Sequence, residues 1–286
     1  MLNPAKIDDM AALKAAIIEH CDDERPRWYE TTEADPGAGQ AAAAIADGAR
    51  LVLVCGGDGT VAACAGALAG TEVAMAVVPV GTGNLLARNL GIPLELSEAL
   101  EVAFGPDERV IDVLEAGDQR FVVMAGLGFD AALIRDTDDE LKDRLGWLAY
   151  LGGMAKALRR SPHARFTITV DDGLPVRTQA IGVLVGNVGQ LEADITLLPD
   201  ASPDDGQLDV LVLAPRTVRD WPALVWRILR RRPDSGPQAD ILRGKRVRIE
   251  SSVAVPVEFD GDFRGEATEL RVDVLAAALT LRCVRP

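Results

Sequence analysis

The sequence predicts an α/β domain on a parallel sheet, followed by a β-sandwich domain with helical insertions. Up to about residue 115, apolar runs alternate with helical segments; after Glu115 the strands become closely spaced, with turn residues between them. Two glycine-rich turns, Cys55-Gly56-Gly57-Asp58-Gly59-Thr60 and Gly81-Thr82-Gly83-Asn84, each stand between an apolar strand and a helix. With 286 residues the chain suits two modest domains, 1–115 and 116–286, each able to bury its own core.

The first domain reads as a helix over Ile7 to His20, a polar stretch through Gly37, a helix over Gln40 to Ala46 and a strand from Leu51. A helix over Val61 to Leu68, a strand from Ala74, a helix from near Asn84, a helix over Leu96 to Phe104 and a strand at Val110 to Leu114 follow. That alternation means a parallel sheet with helices on both faces. Only Met1 and Leu2 precede Asn3-Pro4, so either the start is trimmed or the customary opening strand is stunted. Second-domain strands are expected at Arg120 to Ala125, Arg165 to Val170, Thr178 to Gly186, Leu208 to Leu213, Arg246 to Ser251, Val253 to Phe259, Leu270 to Leu275 and Leu279 to Val284. Helical insertions are expected over Ala131 to Leu158 and Val218 to Arg232.

Composition excludes several classes of function. A net charge of −14 argues against general nucleic-acid binding, although ten Lys/Arg against three Asp between Arg216 and Arg248 make one surface basic. The histidines, His20 and His163, lie far from either glycine turn, which leaves proton transfer to carboxylates. The cysteines Cys21, Cys55, Cys64 and Cys283 show no metal-ligand spacing and read as reduced thiols, in keeping with a cytoplasmic protein. No apolar run approaches the ~20 residues of a spanning helix, so any membrane contact is expected to be peripheral.

Three glycines around one carboxylate let backbone N–H groups and a helix N-terminus approach an anion, and two such turns at the ends of neighbouring strands would line one crevice. That reads as a nucleotide site. Asp58 either bonds local N–H groups or offers charge to a cation or an incoming hydroxyl. Phe259-Asp260-Gly261-Asp262-Phe263 is either a hairpin turn or a carboxylate pair fit to deprotonate a hydroxyl and hold Mg2+. The acidic loop Pro199 to Asp209 is a solvated turn or a hard-cation site in which Asp205 joins loop carbonyls. The stretch Trp221 to Arg232 sets Trp221, Leu224, Val225 and Ile228 on one stripe with arginines at its end, which suits an anionic bilayer or core packing.

Taken in order, these blocks resemble the diacylglycerol kinase catalytic-domain family, bacterial lipid kinases related to sphingosine kinases and, more distantly, NAD kinases and phosphofructokinases. The resemblance spans nearly the whole chain and includes Asn3-Pro4, Thr32, Gly56 to Thr60, Gly81 to Asn84 with Ala87-Arg88, Gly126-Leu127-Gly128-Phe129-Asp130-Ala131, Gly186-Asn187 to Asp209 and Asp260-Gly261-Asp262. It implies ATP-dependent phosphorylation of a lipid hydroxyl, with diacylglycerol as the default acceptor and sphingoid bases or monoacylglycerols behind it. It further implies ATP contacts from Asn3, Thr32, Gly56, Gly57, Asp58, Gly59, Thr60, Gly81, Thr82, Gly83 and Asn84. Asp262 would be the proton acceptor with Asp260 close by, and a structural Mg2+ would be held by the Ser202 carbonyl, the Asp205 carboxylate and the Gln207 carbonyl. The expected partners are the lipid substrate at a membrane surface, through Trp221 to Arg232, and a second copy of the chain through an exposed sheet edge. The chain departs from the family pattern in having Asp262 where glutamate is common and Leu85 where many relatives have aspartate. A small-molecule kinase of the NAD kinase kind and a non-catalytic nucleotide or lipid sensor are the rival readings.

Overall fold

Residues 1–21, 26–128, 164–191, 195–214, 220, 227 and 239–284 are described by the structure, a computed structural model. In the first half α1 (Met10–His20), α2 (Ala38–Ala46), β1 (Leu51–Gly56), α3 (Asp58–Leu68), β2 (Ala74–Pro79), α4 (Leu85–Asn89) and α5 (Leu96–Phe104) follow one another. Strands β1 and β2 run parallel, in register from Leu51↔Ala74 to Gly56↔Pro79. Alternation along β1 sends Val52 and Val54 into a core with Ala41, Ala44, Cys64, Ala65 and Leu68 of α2 and α3. The opposite face carries Cys55, packed with Leu13 and Ile17 of α1 and Leu100 of α5. Helices therefore cover both faces, and β2 is buried at every position, as an unbroken apolar run in a parallel sheet should be. Leu2 makes single parallel bridges to Cys55 and Glu30, so the opening strand is one residue long. The first helix begins at Met10 rather than Ile7 because the Asp9 carboxylate accepts the Ala12 N–H at 2.9 Å and caps it there. Burial pushes the Cys55 and Cys64 thiols up, to about 11 and about 12, as expected of inert core cysteines.

The second half is strand-rich. It comprises β3 (Glu108–Ala116), β4 (Gln119–Phe121), β5 (Met124–Leu127), β6 (Ala164–Val170), β7 (Val176–Ala180), β8 (Gly182–Gly186), β9 (Leu208–Leu213), β10 (Ala239–Gly244), β11 (Arg246–Phe259) and β12 (Asp262–Arg282). These strands pair with one another antiparallel. Phe121, Leu127, Phe166, Ile168, Val210, Val247, Ile249 and Val272 are among the side chains of their main core. The expected helical insertion Ala131 to Leu158 lies outside the described residues, as does that over Val218 to Arg232 apart from Asp220 and Arg227.

Several expected elements change. The strand expected at Val110 to Leu114 is β3, but it does not join the parallel set; it pairs antiparallel with β12 and β4. The place beside β2 is taken instead by the end of β12, where Leu281 pairs in parallel with Met75. Strand β12 thus begins in the sandwich against β11 and ends in the first half, so a single sheet runs through both. The run Thr178 to Gly186 divides at Ile181 into β7 and β8, which pair with different neighbours. The two strands expected between Arg246 and Phe259 are one, with a shift of register between Glu250 and Val255, and β12 likewise absorbs two, with a bulge between Leu275 and Leu279.

Leu281 is fully buried in the core shared with β1, β2 and α3. Leu281→Ala is expected to cost about 2–5 kcal/mol of stability in urea unfolding, whereas a loss below about 1 kcal/mol would show that the C-terminal strand is not locked beside β2.

Candidate functional site

The carboxyl ends of β1 and β2 deliver the two glycine turns to one place. Gly57 is the residue before α3, whose first-turn N–H groups have no intrahelical acceptor and carry the positive end of the helix dipole. A Cβ on Gly81 would stand 2.6 Å from the Gly57 Cα, so the two turns lie back to back in a space that no side chain could share. Asn84 shapes the second turn. It takes a left-handed φ of 50°, its Oδ1 accepts the Gly81 N–H at 3.0 Å, and its Nδ2 donates to the Gly81 carbonyl at 2.8 Å. Asp58 then joins the turns: its carboxylate accepts the Asn84 N–H at 2.8 Å and the Leu85 N–H at 2.6 Å. Of the two readings of Asp58, the structure displays the one in which it bonds backbone N–H groups, those of the other turn.

Asn3 and Thr32 approach from the opening strand and the loop beside it. Asn3 Nδ2 donates to Thr60 Oγ1 at 2.9 Å, and Thr32 Oγ1 accepts the Asp35 N–H at 3.1 Å. From the sandwich side come the acids of the β11–β12 turn. Asp260, buried and at φ 48°, accepts the N–H groups of Val122, Val123 and Met124 at 3.2, 3.0 and 2.9 Å. Burial pushes its carboxyl up to about 6, against the lowering effect of those N–H donors. The half-exposed Asp262 has a carboxylate oxygen 3.7 Å from Arg264 Nη2, and a Cβ built on Gly59 would stand 3.5 Å from that same oxygen. Asp262 is therefore beside the first turn of α3, whereas Asp260 is committed to the 122–124 backbone.

These parts border one cleft of about 620 Å³. Of the residues singled out from sequence, Asn3, Thr32, Gly57, Asp58, Gly59, Thr60, Gly81, Thr82, Gly83, Asp260 and Asp262 line it, while Gly56 and Asn84 stand behind the turns they shape. The sequence reading missed Lys6, Glu33 and Glu258, and an apolar wall of Met124, Leu184, Leu191 and Leu197. Glu258 had a signal, an acid two residues before the Asp-Gly-Asp turn in the otherwise apolar run Val253 to Phe259; the wall had none, because its members come from β5, from β8 and from the loop after β8.

Ser202, Asp205 and Gln207 lie in a loop that does not border the cleft. Asp205 Oδ1 accepts the Gln207 N–H at 2.9 Å, and Asp204 is held by Ser202 Oγ at 2.7 Å and Arg109 Nε at 2.7 Å. The Arg109 guanidinium keeps the Asp204 carboxyl below its usual range. Asp112, also missed from sequence, ties this loop to the bulge of β12 by accepting the Gly206 and Ala277 N–H groups, each at 2.7 Å. Among the described residues no cluster of three His, Cys, Asp or Glu side chains gathers. The donor set suggested for the loop, one carboxylate and two carbonyls, is all oxygen and suits a hard cation. The basic stretch Trp221 to Arg232 falls, but for Arg227, outside the described residues.

Two variants test this geometry. Asp58→Ala leaves two N–H groups without their acceptor and is expected to cost about 1–3 kcal/mol in denaturant unfolding, together with weaker nucleotide binding by calorimetry; full retention of both would deny that the carboxylate joins the turns. For Asp260, whose carboxyl is raised from the ordinary 3.8 to about 6 in the folded chain, the native state holds the proton more tightly over that interval. The stability of the wild type relative to Asp260→Asn should therefore fall as pH rises from about 4 to about 6; a flat difference over that range would contradict the raised value.

Known proteins are similar to this chain along most of its length. Residues 8–116 match the diacylglycerol kinase catalytic domain, and residues 122–283 match the YegS C-terminal NAD kinase beta sandwich-like domain. The chain is 34% identical over 241 residues to a probable lipid kinase YegS-like from Chromohalobacter salexigens, covering 81% of this chain and 76% of that protein. It is 30% identical over 247 residues to a diacylglycerol kinase of Bacillus subtilis, covering 83% and 80%. A crystal structure of a putative diacylglycerol kinase from Bacillus anthracis superposes with a TM-score of 0.78 at 25% identity, over 97% of this chain and 93% of that one. With the two glycine turns, the Asp-Gly-Asp hairpin and both domain matches in the same order, the chain belongs to the diacylglycerol kinase family of lipid kinases.

Proposed function

We propose that this chain transfers the γ-phosphate of ATP to a lipid hydroxyl, with diacylglycerol, giving phosphatidic acid, as the first acceptor to examine. The observation that carries this reading is the placement of a half-exposed carboxylate, Asp262, beside the α3 N-terminus where the back-to-back glycine turns meet. The turns and the first N–H groups of α3 offer backbone donors to a triphosphate, and Asn3 and Thr32 border the same cleft. In the reaction the acceptor oxygen forms a bond to the γ-phosphorus, the bridging bond to the β-phosphate breaks, and Asp262 takes the hydroxyl proton. Asp260 acts as a positioning residue: it fixes the hairpin against residues 122–124 and so sets where Asp262 stands.

The charge of the cleft bears on the cofactor. Its described lining has five carboxylates, Glu33, Asp58, Glu258, Asp260 and Asp262, against one cation, Lys6. A triphosphate entering such surroundings requires a divalent cation, and when bound Mg2+ supplies charge neutralisation of the phosphates. A structural Mg2+ would be held apart from the cleft by Ser202, Asp205 and Gln207, whose loop Asp112 and Arg109 already brace. Approach to an anionic membrane is assigned to Trp221 to Arg232, by charge and apolar pattern.

Transfer of labelled γ-phosphate to lipids in mixed micelles tests the reading. Activity should require Mg2+ and vanish with chelator. Asp262→Asn should lower kcat by about 10²–10⁴-fold while nucleotide affinity stays within a few-fold. Unchanged turnover would remove Asp262 as the proton acceptor, and nucleotide binding without any lipid product would favour a sensor.

A further inference from the structure

One side-chain amide reaches from α4, the helix after the second glycine turn, to the apolar wall of the cleft. Leu191 and Leu197 of that wall belong to two short stretches, 189–191 and 195–198, which meet antiparallel at the Gln190↔Thr196 bridge. The bonds that close the bridge come from its neighbours: Leu191 N–H to the Ile195 carbonyl at 2.8 Å and Leu197 N–H to the Gly189 carbonyl at 2.9 Å. In such a pair the N–H and C=O of the central residue point away from its partner, so those of Gln190 face outward as an unpaired sheet edge would. Asn89, at the end of α4, stands in for the missing strand. Its Oδ1 accepts the Gln190 N–H at 2.9 Å and its Nδ2 donates to the Gln190 carbonyl at 2.9 Å. The other Nδ2 hydrogen goes to the Leu85 carbonyl at 2.8 Å. Oxygen meets a donor and nitrogen meets two acceptors, so turning the amide over would set like groups against each other at all three contacts.

Leu85 joins this amide to the nucleotide side. Its N–H is one of the two that Asp58 accepts, at 2.6 Å, and its carbonyl is the one that Asn89 reaches. A continuous run of hydrogen bonds therefore leads from the junction of the glycine turns through Leu85 and Asn89 to Gln190, the residue before Leu191. Leu85 and Leu191 both border the cleft. The turns can fix the phosphates, whereas the apolar part of an acceptor is held by apolar surface. Phosphoryl transfer needs the acceptor oxygen near the γ-phosphorus and in line with the bond that breaks, and a displacement of about 1 Å can cost about 10²-fold in rate. We infer that Asn89 is a positioning residue for the acceptor, setting the apolar wall that seats the lipid at a fixed distance from the turns that hold the phosphates. This rests on the lipid-kinase reading and deepens it: the wall serves the acceptor, and one amide keeps it in register with the nucleotide.

The test takes the lipid that the wild type phosphorylates best among a diacylglycerol, a monoacylglycerol and a sphingoid base in mixed micelles, and compares the wild type with Asn89→Ala and Asn89→Asp. Aspartate has the size of asparagine and still accepts the Gln190 N–H but offers nothing to the two carbonyls, so it serves if the alanine variant does not fold. Both variants should lower kcat/KM for the lipid by about 10- to 100-fold, while the KM for ATP and the nucleotide Kd by calorimetry stay within about three-fold. A role in stability alone predicts a lower Tm with lipid kinetics unchanged in the folded protein. That result, with the wild type active on lipids, would overturn the inference and leave the lipid-kinase reading standing. So would a loss of nucleotide affinity as large as the loss on the lipid, since Asn89 would then only support the second glycine turn. A wild type that phosphorylates none of the lipids would overturn both.

Discussion

The contact on which the site depends is the one between two glycines. Because Gly57 and Gly81 meet without side chains, the carboxyl ends of β1 and β2 can bring two turns into one wall, and because Asp58 accepts two N–H groups from the far turn, they stay together. Joined, the two turns and the α3 N-terminus border one cleft. The carboxylate that looks catalytic by its motif is thereby occupied in holding the motif's two halves. Leu85 contributes its backbone N–H to this bond.

A second constraint carries Asp262 to that point. Asp262 is the first residue of β12, whose last turn of pairing lies beside β2 in the opposite half of the chain. The hairpin before it is anchored by Asp260 to three successive N–H groups at 122–124, residues that pack in the core of the first half. Hairpin and glycine turns are thus tied through two separate routes, one covalent along β12 and one through a buried carboxylate. A residue at φ 48° with its carboxyl desolvated is costly, and such cost is commonly found where a side chain has to be aimed.

Much of this was legible in the sequence because local chemistry decided it. Glycine turns after apolar strands, a carboxylate pair around a glycine and the alternation of helix with strand each follow from a few neighbouring residues. What escaped was set by partners distant in sequence. Strand β3 reads like any α/β strand, but its direction relative to the sheet follows from β12, more than 150 residues on, reaching the place beside β2 first. Strand β10, Ala-Asp-Ile-Leu-Arg-Gly, has too few apolar residues to be recognised and exists because β9 offers it an edge. Asp112 sits in a run that reads as plain strand, and only the fold brings Gly206 and Ala277 to its two oxygens.

The acids of the cleft show how environment, rather than residue type, assigns roles. Asp58 is saturated by N–H donors at the junction of the turns. Asp260 is buried among three more, with its carboxyl raised to about 6, which suits a structural anchor and not an exposed base. Asp262 is half exposed, 3.7 Å from Arg264 Nη2. Glu258 is buried on an apolar wall, in a gap left by Gly126. Of the five carboxylates that line the cleft, two, Asp58 and Asp260, are taken up by backbone N–H groups. Environment, not residue type, thus sets the acids of one cleft apart from one another.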